Sequence, residues 1–295
     1  MNKFEQLEAI RRKCPQFIFG GIATVVLGLI LVFLLTMVIG DVSVFLGFIA
    51  IITGTILIII GSNKFSKVAR EFKDACMQEI IDQVLPNAQY SYNMGIPLSE
   101  VYKDGLLKIA DRAYSEDLIT GNIKGVTFKT CDLKLEERRV RTDSKGNTTV
   151  TYVPYFIGRY FVFDFNKNFK GNIVVTEGML PGAFRGLKKI ELESEEFNKK
   201  FKTYAADDLS AFYVLTPHLM VSLLELEKNN PGCISISMNS NKLCMAINNN
   251  RDTFSVKLNR KIDNTLVELF KAEMNVINEI VDEMNLNNKI FKEVE

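Results

Sequence analysis

Tryptophan is absent from this 295-residue chain, histidine occurs once, and the five cysteines form no Cys-x-x-Cys pair. Each shortage removes a class of chemistry. One histidine, His218 in "LTPHLMVSLL", gives no second imidazole for a metal centre, and its apolar surroundings predict a structural role. Cys14, Cys76, Cys131, Cys233 and Cys244 are odd in number and widely separated, so neither a disulfide framework nor a zinc site is expected, and reduced thiols in the cytoplasm are the simplest reading. No Gly-x-Ser-x-Gly nucleophile motif occurs. A basic excess is missing as well. Lys plus Arg number 36 against 35 Asp plus Glu, and removing the four basic and three acidic residues up to Gly61 leaves 32 of each. Nucleic-acid binders neutralise phosphates with surplus cations, so no nucleic-acid partner is expected. "RYFVFDF" is strand-like and aromatic, but Asp164 falls where an RNA-binding sheet places an aromatic ring, and core packing is the expected use.

Charge is scarcest between Lys13 and Lys64, where Asp41 stands alone. A bilayer-spanning helix needs about 20 apolar residues, and the run from Phe17 to Ile60 holds about two such lengths. Gly40-Asp41 is turn chemistry at its middle, so two spans are expected, 17–39 and 42–60, with Asp41 at the far membrane surface rather than buried at mid-span. Gly21 and Gly28 repeat at seven residues on one span and Gly47 and Gly54 on the other, a stripe suited to close helix contact. Lys3, Arg11, Arg12 and Lys13 precede the first span, Lys64, Lys67, Arg70 and Lys73 follow the second, and the connecting turn has no cation. The positive-inside rule then puts both termini in the cytoplasm of a multi-pass plasma-membrane protein. Thr24, Thr36, Ser43, Thr53 and Thr55 are the hydroxyls of the spans, and bonds to helix backbone suit them better than a pore lining. The domains read as 1–62, N-terminal segment and hairpin, and 63–295, a cytoplasmic domain of about 230 residues, long enough for a real core.

That domain reads as α+β, an antiparallel sheet with packed helices. A helical period from Asn63 to Leu85 is expected to continue directly from the membrane, and a second helix is expected over Leu98 to Ala110. "VTFKTCDLKLEERRV" and "TTVTYVPY" flank the turn "TDSKGN", a hairpin. "GRYFVFDF" and "GNIVVTE" around "NKNFK" read as a second, with Phe161, Phe163 and Phe165 on the one buried face. "CISISM", "LCMAINN" and "TFSVKL" read as a closing meander. Asp207 and Asp208 offer an N-cap for a helix running to about Leu226, and a last helix carries Ile262, Leu266, Leu269, Phe270, Met274 and Ile277 at apolar spacing.

The segments "YSEDLITGNIKGVTFKTCDLKLEER", "GRYFVFDFNKNFKGNIVV" and "KKIELESEEFNKKFKTYAADDLSAFYVLTPHLMVSLLELE" resemble, in that order and from Tyr114 to Leu226, a bacterial family of membrane-anchored proteins named only as domain of unknown function 3137. The resemblance implies a membrane-tethered cytoplasmic domain and carries no catalytic residue with it. Within its motif Phe197, Phe201 and Pro217 read as packing and turn positions, and Ala211, Phe212 and Tyr213 as a core-facing helix side. "GMLPGAFRGLKK" (178–189) lacks the spacing and the Gly-Lys-Ser/Thr ending of a phosphate loop and reads as a mobile loop. The acidic groups Glu116-Asp117 and Glu191, Glu193, Glu195, Glu196 read as solvated surface. No catalytic, cofactor-binding or metal residue is assigned and no cofactor is expected. The expected partners are the lipid bilayer, a protein of unknown identity and a second copy of the chain. Non-enzymatic binding or scaffolding is the favoured role. A carboxylate- and Mg²⁺-dependent hydrolase and a pore or transporter subunit are the alternatives.

Overall fold

The structure, a computed structural model, describes residues 3–39, 41–103, 105–178 and 186–286, with backbone alone at 34–39, 41–43 and 165–170. Contacts divide the chain into two units, residues 1–79 with 255–269, and residues 80–254 with 270–295.

In the first unit a short helix α1 (Lys3–Arg11) leads into α2 (Cys14–Ile39), and α3 runs from Asp41 to Val84. Among the described residues two helices are thus long and apolar enough to cross a membrane, and Gly40, the first residue of the expected Gly40-Asp41 turn, lies outside the described residues. Asp41, expected in the turn, is the first residue of α3; of its side chain nothing is described. The helices are antiparallel and touch through the glycine stripe. A Cβ on Gly21 would stand 2.6 Å from the Gly54 carbonyl oxygen, and one on Gly28 would stand 2.8 Å from that of Gly47. Larger residues facing away stay exposed, Phe19, Phe33 and Phe45 among them, as expected of a surface solvated by lipid chains. The Thr24 and Thr55 hydroxyls donate to the carbonyls of Gly20 and Ile51 at 2.8 Å, bonding their own helices as expected. Lys64 lies 4.3 Å over the Phe17 ring, so the two basic flanks share one end of the hairpin. Helix α3 continues without a break past the apolar stretch and buries Val68, Phe72, Cys76 and Met77, with Phe72 edge-on to Phe4 at 5.9 Å. Arg11 is buried, pairs with Glu8 at 2.7 Å and donates to the Leu258 carbonyl, while Glu8 accepts from the Ile262 amide at 2.9 Å.

The second unit is built on one antiparallel sheet and is α+β. Its elements are β1 (Gln89–Ser91), α4 (Leu98–Val101), β2 (Arg112–Ile123), β3 (Val126–Thr142), β4 (Thr148–Thr176), β5 (Lys188–Ile190), α5 (Glu195–Lys200), β6 (Lys202–Ala205), α6 (Asp208–Val214), α7 (Pro217–Asn229), β7 (Cys233–Asn248) and α8 (Asn264–Glu283), whose first residues group with the other unit. Among the described residues the sheet has seven strands in the order β1-β2-β3-β4-β6-β5, with β7 also paired to β4. The β3–β4 hairpin closes with Thr142 opposite Thr148, and Asp143 binds the Lys145 and Asn147 amides inside the expected turn.

The second expected hairpin does not form. Strand β4 runs straight through "NKNFK" and pairs with β7 on both sides of it, Asp164 opposite Lys242 and Asn172 opposite Asn239. The polar stretches "NKNFK" and "NSNK" face one another as irregularities in a long ladder, where Gly171 (φ 114°) and Ser240 (φ 53°) take left-handed backbone. The closing meander fails for the same reason: "CISISM" and "LCMAINN" belong to one strand, and "TFSVKL" is not a strand at all. The amides of Thr253 and Phe254 go instead to the Asp132 carboxylate, at 2.7 and 3.4 Å.

The sheet is buried on two faces rather than one. One side gathers Cys131, Leu133, Leu135, Tyr160, Val162 and Val174 under Ile96, Val101, Leu106 and Leu107. Phe128, Phe161 and Phe163 are buried from the other, with the Phe161 and Phe163 rings 6.2 Å apart, and the Phe165 side chain lies outside the description. The helix expected to reach Ala110 ends at Val101, because the chain reverses at Gly105 (φ 68°) to insert Leu106 and Leu107 under the sheet. The helix expected from Asp207 to Leu226 is broken, α6 and α7 meeting at 70° where Thr216 caps the second helix and Pro217 takes its first turn. Asp207 caps α6 through the Ser210 amide and hydroxyl, both at 2.8 Å. Asp207→Ala is therefore expected to lower the urea midpoint of the domain while Asp208→Ala leaves it in place; equal effects would show that the cap is not what starts α6. In α8, Phe270, Met274 and Ile277 are buried as the spacing requires, whereas Leu269 is 37% exposed.

Candidate functional site: an acidic cleft beside a buried ion pair

Arg159 on β4 and Asp132 on β3 face each other across the register, both nearly inaccessible to solvent. Asp132 Oδ2 receives the two amides after Asp252. Its Oδ1 lies 3.9 Å from Arg159 Nε, within ion-pair range but without a hydrogen bond, and Nε has no acceptor either. The rest of the guanidinium is held: one nitrogen donates to the Glu273 carbonyl on α8 at 2.6 Å and the other to the Thr130 hydroxyl at 3.3 Å. The plane stands 4.7 and 5.1 Å from the Phe161 and Phe254 rings. Burial pushes the Asp132 carboxyl up to about 7, against the pull of Arg159 and with a further push from Asp117 and Asp252. The same burial holds Arg159 below its usual range.

Asp132 lines a cleft of about 240 Å³ together with Tyr114, Glu116, Gly158, Arg251 and Asp252. Glu116 lies directly opposite Asp132 on β2, and the register of that pair then slips before Ile119. Neighbours on a regular strand point to opposite faces. At this bulge Asp117 takes φ 57°, and one oxygen each from Glu116, Asp117 and Asp252 comes within 4.8 Å of the others. Asp117 is fully buried and accepts from the Tyr90 hydroxyl, whose phenol is pushed far up by burial and then by that carboxylate, so it stays a donor. Lys134, also at the rim, is taken up by Glu136 at 2.7 Å. An all-oxygen cluster of this kind can hold a hard cation.

The acids of 191–196 do not join it. Glu191, Glu193, Glu195 and Glu196 are exposed, Glu191 pairing with Lys189 at 3.3 Å and Glu195 with Lys199 at 3.6 Å. Of the 178–189 loop, residues 179–185 with Arg185 lie outside the described residues. His218 is exposed in the first turn of α7, not in a core. Phe212 and Tyr213 are likewise exposed, with Leu209, because the break before Pro217 turns that side of α6 outward; only Ala211 of the expected set is buried. Phe197 and Phe201 pack at 5.0 Å as expected, and Pro217 is at the break. Asp132, Arg159 and Asp252 carried no motif. The one available signal was a charge inside each of two short stretches, 130–133 and 158–163, that are otherwise uncharged and are buried throughout.

Residues 155–286 match a family model described as "Protein of unknown function (DUF3137)", so the resemblance read from the sequence holds there and extends beyond Leu226 to α8. None of the curated proteins matches the chain. Among solved structures, the mycobacterial trehalose monomycolate transport factor A, TtfA, is similar at 8% identity and a TM-score of 0.40, covering 70% of this chain and 96% of that one. A likeness of that size carries no argument about fold or function.

Proposed function

We propose that the chain is a membrane-anchored, non-enzymatic binding module of the bacterial plasma membrane, whose sheet domain lies in the cytoplasm and recruits a protein partner to the inner face. The observation that carries this reading is the hairpin: two apolar helices zipped through glycines, with both basic flanks at one end and α3 running on unbroken to Val84. By the positive-inside rule that end is cytoplasmic. Cysteine labelling in intact cells tests it. After replacement of exposed Cys233, a cysteine at Asp41 is expected to react with an impermeant maleimide, and one at Lys145, in the exposed β3–β4 turn, to react only after permeabilisation. Protection at 41 together with labelling at 145 from outside would reverse the topology and the compartment of the domain.

A further inference from the structure

The second unit gathers like charges where an isolated domain would be expected to disperse them. Glu116, Asp117 and Asp252 bring three carboxylate oxygens within 4.8 Å of one another, and Asp117 among them is fully buried. Proximity of acids is common and by itself points to nothing. The independent observation is Asp132, which lines the same cleft, is 5% exposed, and leaves Oδ1 without a hydrogen bond. A buried carboxylate oxygen without a donor costs free energy unless something else satisfies it. Arg159 Nε, at 3.9 Å, is beyond hydrogen-bond range of it.

We infer that this cleft binds a hard divalent cation, with Glu116, Asp117 and Asp252 as ligands and Asp132 as a fourth carboxylate that sets the Asp252 loop. The donors are oxygens only, with no thiol or imidazole among them, which selects Ca²⁺ or Mg²⁺ over zinc or copper. The separation suits such an ion, since two ligands on opposite sides of Ca²⁺ stand about 4.8 Å apart. Asp132 orders the loop by holding the amides of Thr253 and Phe254, so a β2 bulge and the segment after β7 present their acids to one point. The cation would supply the charge that Arg159 alone cannot, and Arg251 at the rim is its competitor. All four carboxylates belong to the second unit, so the site does not depend on which way the hairpin is oriented.

The test is equilibrium dialysis of the full chain in non-ionic detergent, stripped with a chelator, against Ca²⁺ and Mg²⁺ separately. One ion is expected to be taken up per chain, with a raised thermal midpoint because the ion binds only the folded state. Asp252→Asn and Glu116→Gln alter exposed residues and are expected to weaken uptake about tenfold or more without lowering the ion-free midpoint, since each removes a like charge from the cluster. Glu195→Gln, at an exposed acid outside the cleft, is the control and is expected to bind as wild type. Failure to take up either ion at millimolar concentration overturns the inference, and so does saturable uptake that both cleft variants retain.

Discussion

Arg159→Met is expected to destabilise the sheet domain by about 3–5 kcal/mol, the usual cost of removing one partner from a buried ion pair. The substitution keeps roughly the volume and apolar reach of the side chain, so what is lost is charge and hydrogen bonding. Asp132 would remain buried beside Asp117 and Asp252 with no internal cation, and the Glu273 carbonyl on α8 and the Thr130 hydroxyl would each lose a donor. Arg159→Lys keeps the charge but not the planar fork that reaches both acceptors and stacks against Phe161 and Phe254, so an intermediate loss is expected. Adding Asp132→Leu to Arg159→Met should recover part of the deficit, because an uncharged pair costs less than a half-empty one. Urea unfolding of wild type, Arg159→Met, Asp132→Leu alone and the double variant, in chelator so that no cation enters the comparison, measures the cycle. Additive effects in the double variant would show that Asp132 and Arg159 are not energetically coupled, whatever their proximity.

The parts of this protein that could be read directly are those whose cause is local. A bilayer demands apolar length, so two helices long enough to cross one stand out in one pass along the chain. The Gly21–Gly54 and Gly28–Gly47 contacts follow from a seven-residue period, and "TDSKGN" closes β3 on β4 because Asp143 bonds its own turn. What could not be read is set by pairing across the sheet. "NKNFK" and "NSNK" have turn composition, but each is the other's partner in a long ladder, and nothing in either stretch distinguishes a reversal from a bulge. Phe212 and Tyr213 look like core residues until the turn at Thr216 rotates their helix outward. The cleft was least legible of all. Glu116-Asp117 was visible as an acidic pair, but its meeting with Asp252 depends on a bulge in β2 and on a loop held by a carboxylate from β3.

Gly54→Leu is expected to separate the two membrane helices, whereas Gly20→Leu is not, although both are glycines of apolar helices. At Gly54 an added Cβ would already stand 2.6 Å from the Gly21 carbonyl oxygen and 2.7 Å from Val25 Cγ2, so a leucine cannot enter without moving backbone. At Gly20 nothing lies within 4 Å of the added carbon. Helices in lipid gain little from hiding apolar surface and associate through close packing, so the overpacked site should cost about 1–3 kcal/mol of the contact. Disulfide trapping reads this directly. The Cβ position of Gly61 lies 3.0 Å from Phe17 Cβ, so cysteines at 17 and 61, with Cys14 replaced by Ala, are placed to cross-link in membranes. Wild-type helices and Gly20→Leu are expected to trap alike, and Gly54→Leu to trap about tenfold more slowly. Equal trapping in all three would mean that the glycine stripe does not hold the hairpin, and that its basic ends are kept together by contacts elsewhere.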